Sequence, residues 1–272
     1  MEPKYEFDVK YRDQILRCSN CGFCRAFCPV FDLTKRPALN ARGKMLILTE
    51  VMEGRVELNE ALTETLFQCT TCANCTEHCP AGVEVPEILK AVRKDMVNTG
   101  TCHPAFTGMK EVLEKHPNIY GEKDLVDFGR ERNKKAAFVY FIGCVGLYRE
   151  EEAAAETLDL LDRLDVDYTL IDEVCCSGVL EDVGHRINED LAKKNVRAIL
   201  ATGAKTVITG CPYCFRTFNN KAPYIRLAAE GVMVLHISQF LKDFDLGVTT
   251  EKVVTYHDPC DLGRHTGIYE EP

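Results

Sequence analysis

Two stretches of the chain space their cysteines as ligands of a metal cluster. Residues 18–29 read C-S-N-C-G-F-C-R-A-F-C-P and residues 69–80 read C-T-T-C-A-N-C-T-E-H-C-P, both C-x2-C-x2-C-x3-C-P. Each cysteine of the second run lies 51 residues after its counterpart in the first, which marks an internal repeat. Three thiolates two residues apart wrap one face of a cubane, and the fourth, next to proline, points away to the partner cluster. This spacing assigns Cys18, Cys21, Cys24 and Cys79 to one [4Fe-4S] cluster, and Cys69, Cys72, Cys75 and Cys28 to another. Structural zinc prefers two separated C-x2-C pairs around a single ion and has no use for a third cysteine in the same turn.

The whole chain has 272 residues and 15 cysteines, an odd number that disulfide pairing would leave unbalanced. A chain of this length buries a core without covalent staples, and its first residues, MEPKYEFDVKYRDQ, lack the apolar centre of an export signal. With 46% apolar and 28% charged residues it reads as a folded globule, and its net charge of −9 provides no basic field for a nucleic acid. The uncharged stretch from Ala136 to Tyr148 is too short to span a bilayer. The expectation is a cytoplasmic protein that meets a membrane only through a partner subunit.

The elements that must position these residues divide the chain. Leu58, Leu62 and Leu66 recur every four residues, and Val85, Ile88, Leu89, Val92 and Met96 follow a helical stripe. Residues 1–108 are therefore expected to form an α-helical ferredoxin-type domain that holds two clusters at a fixed separation. Residues 109–135, charged and turn-rich, read as a connector. From 136 to 272, β-type runs alternate with helical stretches: 137–142, 150–164, 167–171, 185–200, 206–209, 215–230, 233–235 and 253–256. That rhythm predicts an α/β, Rossmann-like domain with a mainly parallel sheet. Cys144 follows the first run, Cys175 and Cys176 the second, Cys211 and Cys214 the third, and Cys260 the last. The carboxyl ends of parallel strands share one edge, where such folds build their sites, so the five cysteines from 144 to 214 should meet in one crevice. Gly143, Gly146, Gly178 and Gly210 allow close backbone approach there, and Pro212 stiffens the turn from Cys211 to Cys214.

The order C144-x30-C175-C176-x34-C211-x2-C214 behind a twin C-x2-C-x2-C-x3-C-P region resembles the cysteine-rich CCG domain of heterodisulfide reductase and its relatives, among them iron–sulfur subunits of glycolate and lactate oxidases. The resemblance covers the chain from about Arg17 onward. It implies that Cys144, Cys175, Cys176, Cys211 and Cys214 hold a third, non-cubane [4Fe-4S] cluster with irons free to bind a substrate sulfur. Electrons would then pass from two cubanes to a site that reduces or forms a disulfide. The other function weighed is a relay between a flavin dehydrogenase and a quinone or cytochrome. No G-x-G-x-x-G fingerprint is present, so a flavoprotein, hydrogenase or membrane cytochrome partner must supply electrons.

Two departures from the family pattern stand out. Cys-Cys-Gly is here Cys175-Cys176-Ser177-Gly178, with the glycine one position late. His257-Asp258-Pro259-Cys260 begins a second copy of the motif that has no following Cys-Cys before Pro272, so a truncated second repeat is expected. Cys260 is accordingly a further candidate ligand, an orphaned ligand, or inert. His185 and His257 are each either a proton donor to a leaving thiolate or a surface or capping histidine. Cys102 is expected to pack as a small hydrophobe, and His78 to hydrogen-bond near a cluster. Arg42-Gly43-Lys44 would face the clusters, a partner or solvent.

Overall fold

The computed structural model describes residues 3–247 and 251–271. They form two compact units, residues 1–110 with 179–186, and residues 111–178 with 187–272. No helix among the described residues is long and apolar enough to cross a membrane.

The first unit is helical. The helices Glu6–Leu16, Ala41–Met52, Glu60–Phe67 and Val85–Asn98 turn one apolar face inward, and Phe7, Ile15, Met45, Leu48, Leu66, Ile88, Leu89, Val92 and Met96 make its core. The Leu58 to Leu66 stripe and the Val85 to Met96 stripe both supply core residues, although Leu58 precedes its helix. Asn40 caps the Ala41–Met52 helix through the Gly43 N–H, and Asn59 caps Glu60–Phe67 through the Ala61 N–H.

Arg93, 2% exposed, is the principal polar strut of this unit. Its guanidinium donates to the carbonyls of Leu66, Phe67 and Cys69, which lead into the second cysteine run, and to the carbonyl of Asp182. Gly184, with φ +88°, lets that segment lie flat on the backbone of Arg93, where a Cβ would overlap its carbonyl.

The second unit is built on four parallel strands, β1 (Phe138–Phe141), β2 (Tyr168–Thr169), β3 (Thr206–Thr209) and β4 (Met233–His236), in the order β2-β1-β3-β4. Side chains alternate across the sheet. Val139, Phe141 and Val207 pack with Ala192, Val196 and Ile199 of the Glu189–Thr202 helix and with Phe218 of the Pro212–Asn220 helix. Tyr140, Ile142 and Ile208 pack on the other side with Leu158 and Leu161 of the Glu151–Arg163 helix. Helices cover both faces, the arrangement a parallel sheet requires.

Several elements differ from expectation. The run 253–256 is not a strand: Val253, Val254 and Tyr256 are 102%, 75% and 52% exposed coil, and no ladder pairs with them. Four residues with β propensity signal a strand only where a neighbour's backbone can pair with them. β2 is two residues long, continued by a single bridge between Leu170 and Arg132. The helical stretch expected over 215–230 instead starts at Pro212, stops at Asn220 before a cis Ala222–Pro223 bond, and resumes for Arg226–Ala229. Residues 111–135 lie in the second unit, where Tyr120, Leu125, Val126 and Phe128 pack against its core.

Arg93→Leu removes the donor to four main-chain carbonyls in a dry site and is expected to cost about 3–5 kcal/mol, the range for breaking a buried charged network. Urea unfolding measures it, and a loss below about 1 kcal/mol would show that the carbonyls have other partners.

Candidate functional site

Both cysteine runs adopt one backbone solution. In the first, Asn20 and Gly22 have φ of +56° and +79°, and in the second the equivalent Thr71 and Ala73 have +53° and +61°. A short helical turn follows each, Phe23–Phe27 and Asn74–Glu77. Left-handed backbone is natural for glycine and tolerable for asparagine, but it is strained for β-branched Thr71 and for Ala73. The second run keeps the curl of the first without the residues that favour it, so the curl itself is what matters.

The runs cross-associate. Cys28 shares a small cavity with Cys69, Cys72 and Cys75, walled by Val30, Leu39, Ala41, Val85 and Pro86. Burial pushes the Cys75 thiol up to about 12, and the charges of Cys69, Cys72, Cys24 and Cys28 push the same way. Cys24 is likewise raised, by burial and then by Cys18, Cys21 and Cys79, while the Arg42 backbone N–H pulls it down. Cys24 thus feels the charges of the other three members of the first set, and Cys75 those of the other three of the second together with Cys24. Among the described residues no three His, Cys, Asp or Glu side chains are grouped as the ligands of a single ion.

The two sets differ in exposure. Cys21 is exposed beside Phe23, which is itself 54% exposed, and the Phe23 N–H holds its thiol below the ordinary range. The second set lies in the apolar cavity. The Ala41–Met52 helix serves both, its Arg42 N–H facing Cys24 and its Lys44 lining the cavity. Gly43 makes this possible, since a Cβ there would overlap the Pro37 carbonyl. His78 stacks on Phe27 at 3.6 Å and bonds the Asn74 carbonyl through Nδ1 at 2.9 Å.

In the second unit, the thiols named from sequence collect at the carboxyl ends of the strands. β1 leads to Gly143 and Cys144, the segment after β2 to Cys175 and Cys176, and β3 to Cys211 and Cys214. In the order β2-β1-β3-β4 the chain reverses direction across the sheet between β1 and β3, and the crevice at such a switch point is where parallel sheets hold ligands. Cys144 and Cys175 Sγ are 4.0 Å apart, and Cys176 and Cys214 Sγ are 3.5 Å apart. A Cβ on Gly143, φ +85°, would lie 3.3 Å from Cys211 Cβ and 3.4 Å from Cys214 Sγ. Cys176 is drawn well below the ordinary thiol range by bonds from the Cys175 and Cys214 thiols, the Gly178 N–H and Thr217, and Cys211 is lowered by the Cys214 thiol. Cys175 and Cys214 are correspondingly pushed up.

The displaced glycine has a physical explanation. Ser177 itself takes the left-handed conformation, φ +54°, donates its N–H to Cys175 Sγ at 3.3 Å, and accepts the Asn188 N–H on its hydroxyl at 3.1 Å. Gly178 is needed for a different reason, because a Cβ there would overlap the Thr217 hydroxyl.

Glu173 is a positioning residue that sequence reasoning missed. Fully buried, it accepts the N–H groups of Ile142 at 2.9 Å and Gly143 at 2.7 Å, fixing the backbone that presents Cys144. Burial pushes its carboxyl up to about 7 against the pull of those two N–H groups. The only sequence signal is an acidic residue in the run that leads to Cys175-Cys176. His236, buried at the end of β4, was missed too; burial lowers its pKa, and its Nδ1 lies 2.8 Å from Ser238 Oγ.

The other candidates are placed as follows. His185 belongs to the first unit, its Nε2 3.6 Å from Cys102 Sγ, and Cys102 packs against the core of that unit. His257 is exposed on the coil before Cys260. Cys260 Sγ lies 3.8 Å from Asp261 Oδ2, and Asp261 pairs at 2.8 Å with Arg216, on the helix that carries Cys214.

Two known domain families match the chain. Residues 14–83 match the 4Fe-4S dicluster domain, and residues 138–219 match the cysteine-rich CCG domain. Over 94% of its length, covering 70% of the relative, the chain is 32% identical to a subunit of the dihydromethanophenazine:CoB--CoM heterodisulfide reductase of Methanosarcina acetivorans. It is 30% identical to a subunit of the CoM/CoB fumarate reductase of Methanothermobacter marburgensis, over 97% of this chain and 55% of that one. It is 25% identical to a probable glycolate oxidase iron-sulfur subunit of Bacillus subtilis, over 94% and 73%. No solved structure matches.

Gly178→Ala forces the Thr217 hydroxyl off Cys176 and is expected to cost about 1–3 kcal/mol by overpacking. Ser177→Gly, which relieves a left-handed serine but loses its hydroxyl bonds, should stay within about 1 kcal/mol of the parent. Thermal unfolding of both variants checks the order; its reversal would contradict the roles given to the two positions.

Proposed function

Since the chain belongs to the family of that heterodisulfide reductase subunit, we propose that it is an iron–sulfur redox subunit that reduces, or forms, a disulfide or related sulfur substrate. The observation that carries this reading is the convergence of five thiols from three separate strand ends at the switch point of the sheet. Cys18, Cys21, Cys24 and Cys79 would hold one [4Fe-4S] cubane, and Cys69, Cys72, Cys75 and Cys28 a second. Cys144, Cys175, Cys176, Cys211 and Cys214 would hold a third, non-cubane [4Fe-4S] cluster. Bound there, these groups supply one-electron storage at two sites and sulfur-binding iron at the third. The residues present suit them: soft thiolate donors, apolar walls around one set, and a glycine surface against Cys211 and Cys214 for another.

The reduction consumes two electrons and two protons per disulfide and releases two thiols. The chain's own residues make that possible by holding the sulfur-rich crevice rigid. Glu173 pins the loop of Cys144, Ser177 and Gly178 set the turn of Cys175 and Cys176, and Thr217 hydrogen-bonds Cys176. Electrons would come from a flavoprotein, hydrogenase or membrane cytochrome partner, and exposed Cys21 and Phe23 mark the first cubane as the set nearest solvent.

With an artificial reductant, the anaerobically purified protein should reduce a small disulfide. Cys176→Ser should lower that turnover by about a hundredfold or more, while the iron of the two cubane sites stays bound. Full turnover in the variant would remove the third site from the reaction, and no turnover in the parent would favour a pure electron relay.

A further inference from the structure

Lys44 is 1% exposed, a rare condition for a lysine, and among the described residues no carboxylate pairs with it. Its ammonium donates to the Leu39 carbonyl, and that oxygen lies 4.0 Å from Cys28 Sγ. The side chain lines the same cavity as Cys28, Cys69, Cys72 and Cys75; burial lowers its pKa, and the charges of Cys69, Cys28 and Cys75 oppose that. A buried ammonium without a carboxylate stays charged only beside an anion, and the candidates that line its cavity are these four cysteines once they ligate a metal group as thiolates.

We propose that Lys44 is the cation that sets the reduction potential of the cluster held by Cys28, Cys69, Cys72 and Cys75. The proposal rests on the cluster assignment made above and deepens it. Adding an electron to a thiolate-ligated group adds one negative charge. Behind walls of Val30, Leu39, Ala41, Val85 and Pro86 that charge is less favourable than at a solvent-facing site, and burial alone drives the potential down. A fixed positive charge on the cavity wall opposes this and brings the buried cluster back within reach of its exposed neighbour. Arg93 adds positive charge behind Cys69, but its guanidinium, bonded to the carbonyls of Leu66, Phe67, Cys69 and Asp182, does not line the cavity as Lys44 does. Gly43 sets where Lys44 lies, by letting the Ala41–Met52 helix press on the turn Pro37–Leu39.

The test is a redox titration of the whole cluster-loaded protein followed by electron paramagnetic resonance, with the second cluster identified as the signal that Cys75→Ser removes. In Lys44→Gln, which keeps a donor for the Leu39 carbonyl but no charge, the midpoint of that signal should fall by at least about 59 mV, a tenfold change in a one-electron equilibrium. Lys44→Arg should hold it within threefold of the parent, and the signal of the other cubane should move less in both variants. Loss of the second cluster in Lys44→Gln with its retention in Lys44→Arg also supports the charge requirement. An unchanged midpoint in Lys44→Gln, or loss of the cluster in both variants, overturns the proposal while leaving the cluster assignment intact. A parent protein with no signal removed by Cys75→Ser overturns that assignment and the proposal with it.

Discussion

Sulfur ligands must be anionic to bind iron, and anions resist being gathered in a dry place. In this chain burial raises the Cys75 thiol to about 12, and its sulfur neighbours add to the effect. The same conflict appears at the strand ends, where Cys175 and Cys214 are pushed up while Cys176, on which four donors converge, and Cys211 are drawn down. Metal binding to such a set must displace protons, so the protein's task is to hold the thiols ready against a gradient that favours their protonation. Much of the remaining architecture answers that requirement.

The answer comes from main-chain dipoles and a few buried cations. The capped N-terminus of the Ala41–Met52 helix turns the Arg42 N–H toward Cys24, the Phe23 N–H faces Cys21, and the Ser177 and Gly178 N–H groups face Cys175 and Cys176. Left-handed residues recur where these loops curl, including Thr71, Ala73 and Ser177, for which that backbone costs energy. Strain of this kind persists where surrounding structure enforces it. Here Arg93 ties down the lead-in to the second run, and the Ser177 hydroxyl is held by Asn188.

The cysteine runs were legible because their chemistry is written in spacing, and the juxtaposition of Cys28 with Cys69, Cys72 and Cys75 follows from the same spacing. Strands β1, β3 and β4 were legible from short apolar runs punctuated by glycine and followed by helical periodicity. The run Val253 to Tyr256 has the same local character yet lies exposed, because strand formation depends on a partner that a single segment does not encode. Glu173 and Arg93 were harder to read. Each is a charged residue whose role comes from burial beside main-chain groups, and a one-dimensional pattern would place both on solvated surfaces, whereas for Lys44 it left clusters, a partner and solvent open. The segment 179–186 illustrates the same limit, since no local feature announces that eight residues inside the second half pack with the first unit.

The central claim is that three separate thiol sets each carry a four-iron group. Iron and acid-labile sulfide counted per chain, on protein purified without oxygen, test it most directly. The account predicts about twelve irons, falling to about eight when Cys176 is replaced by serine. About eight in the parent protein, unchanged by that substitution, would contradict a cluster at the strand ends.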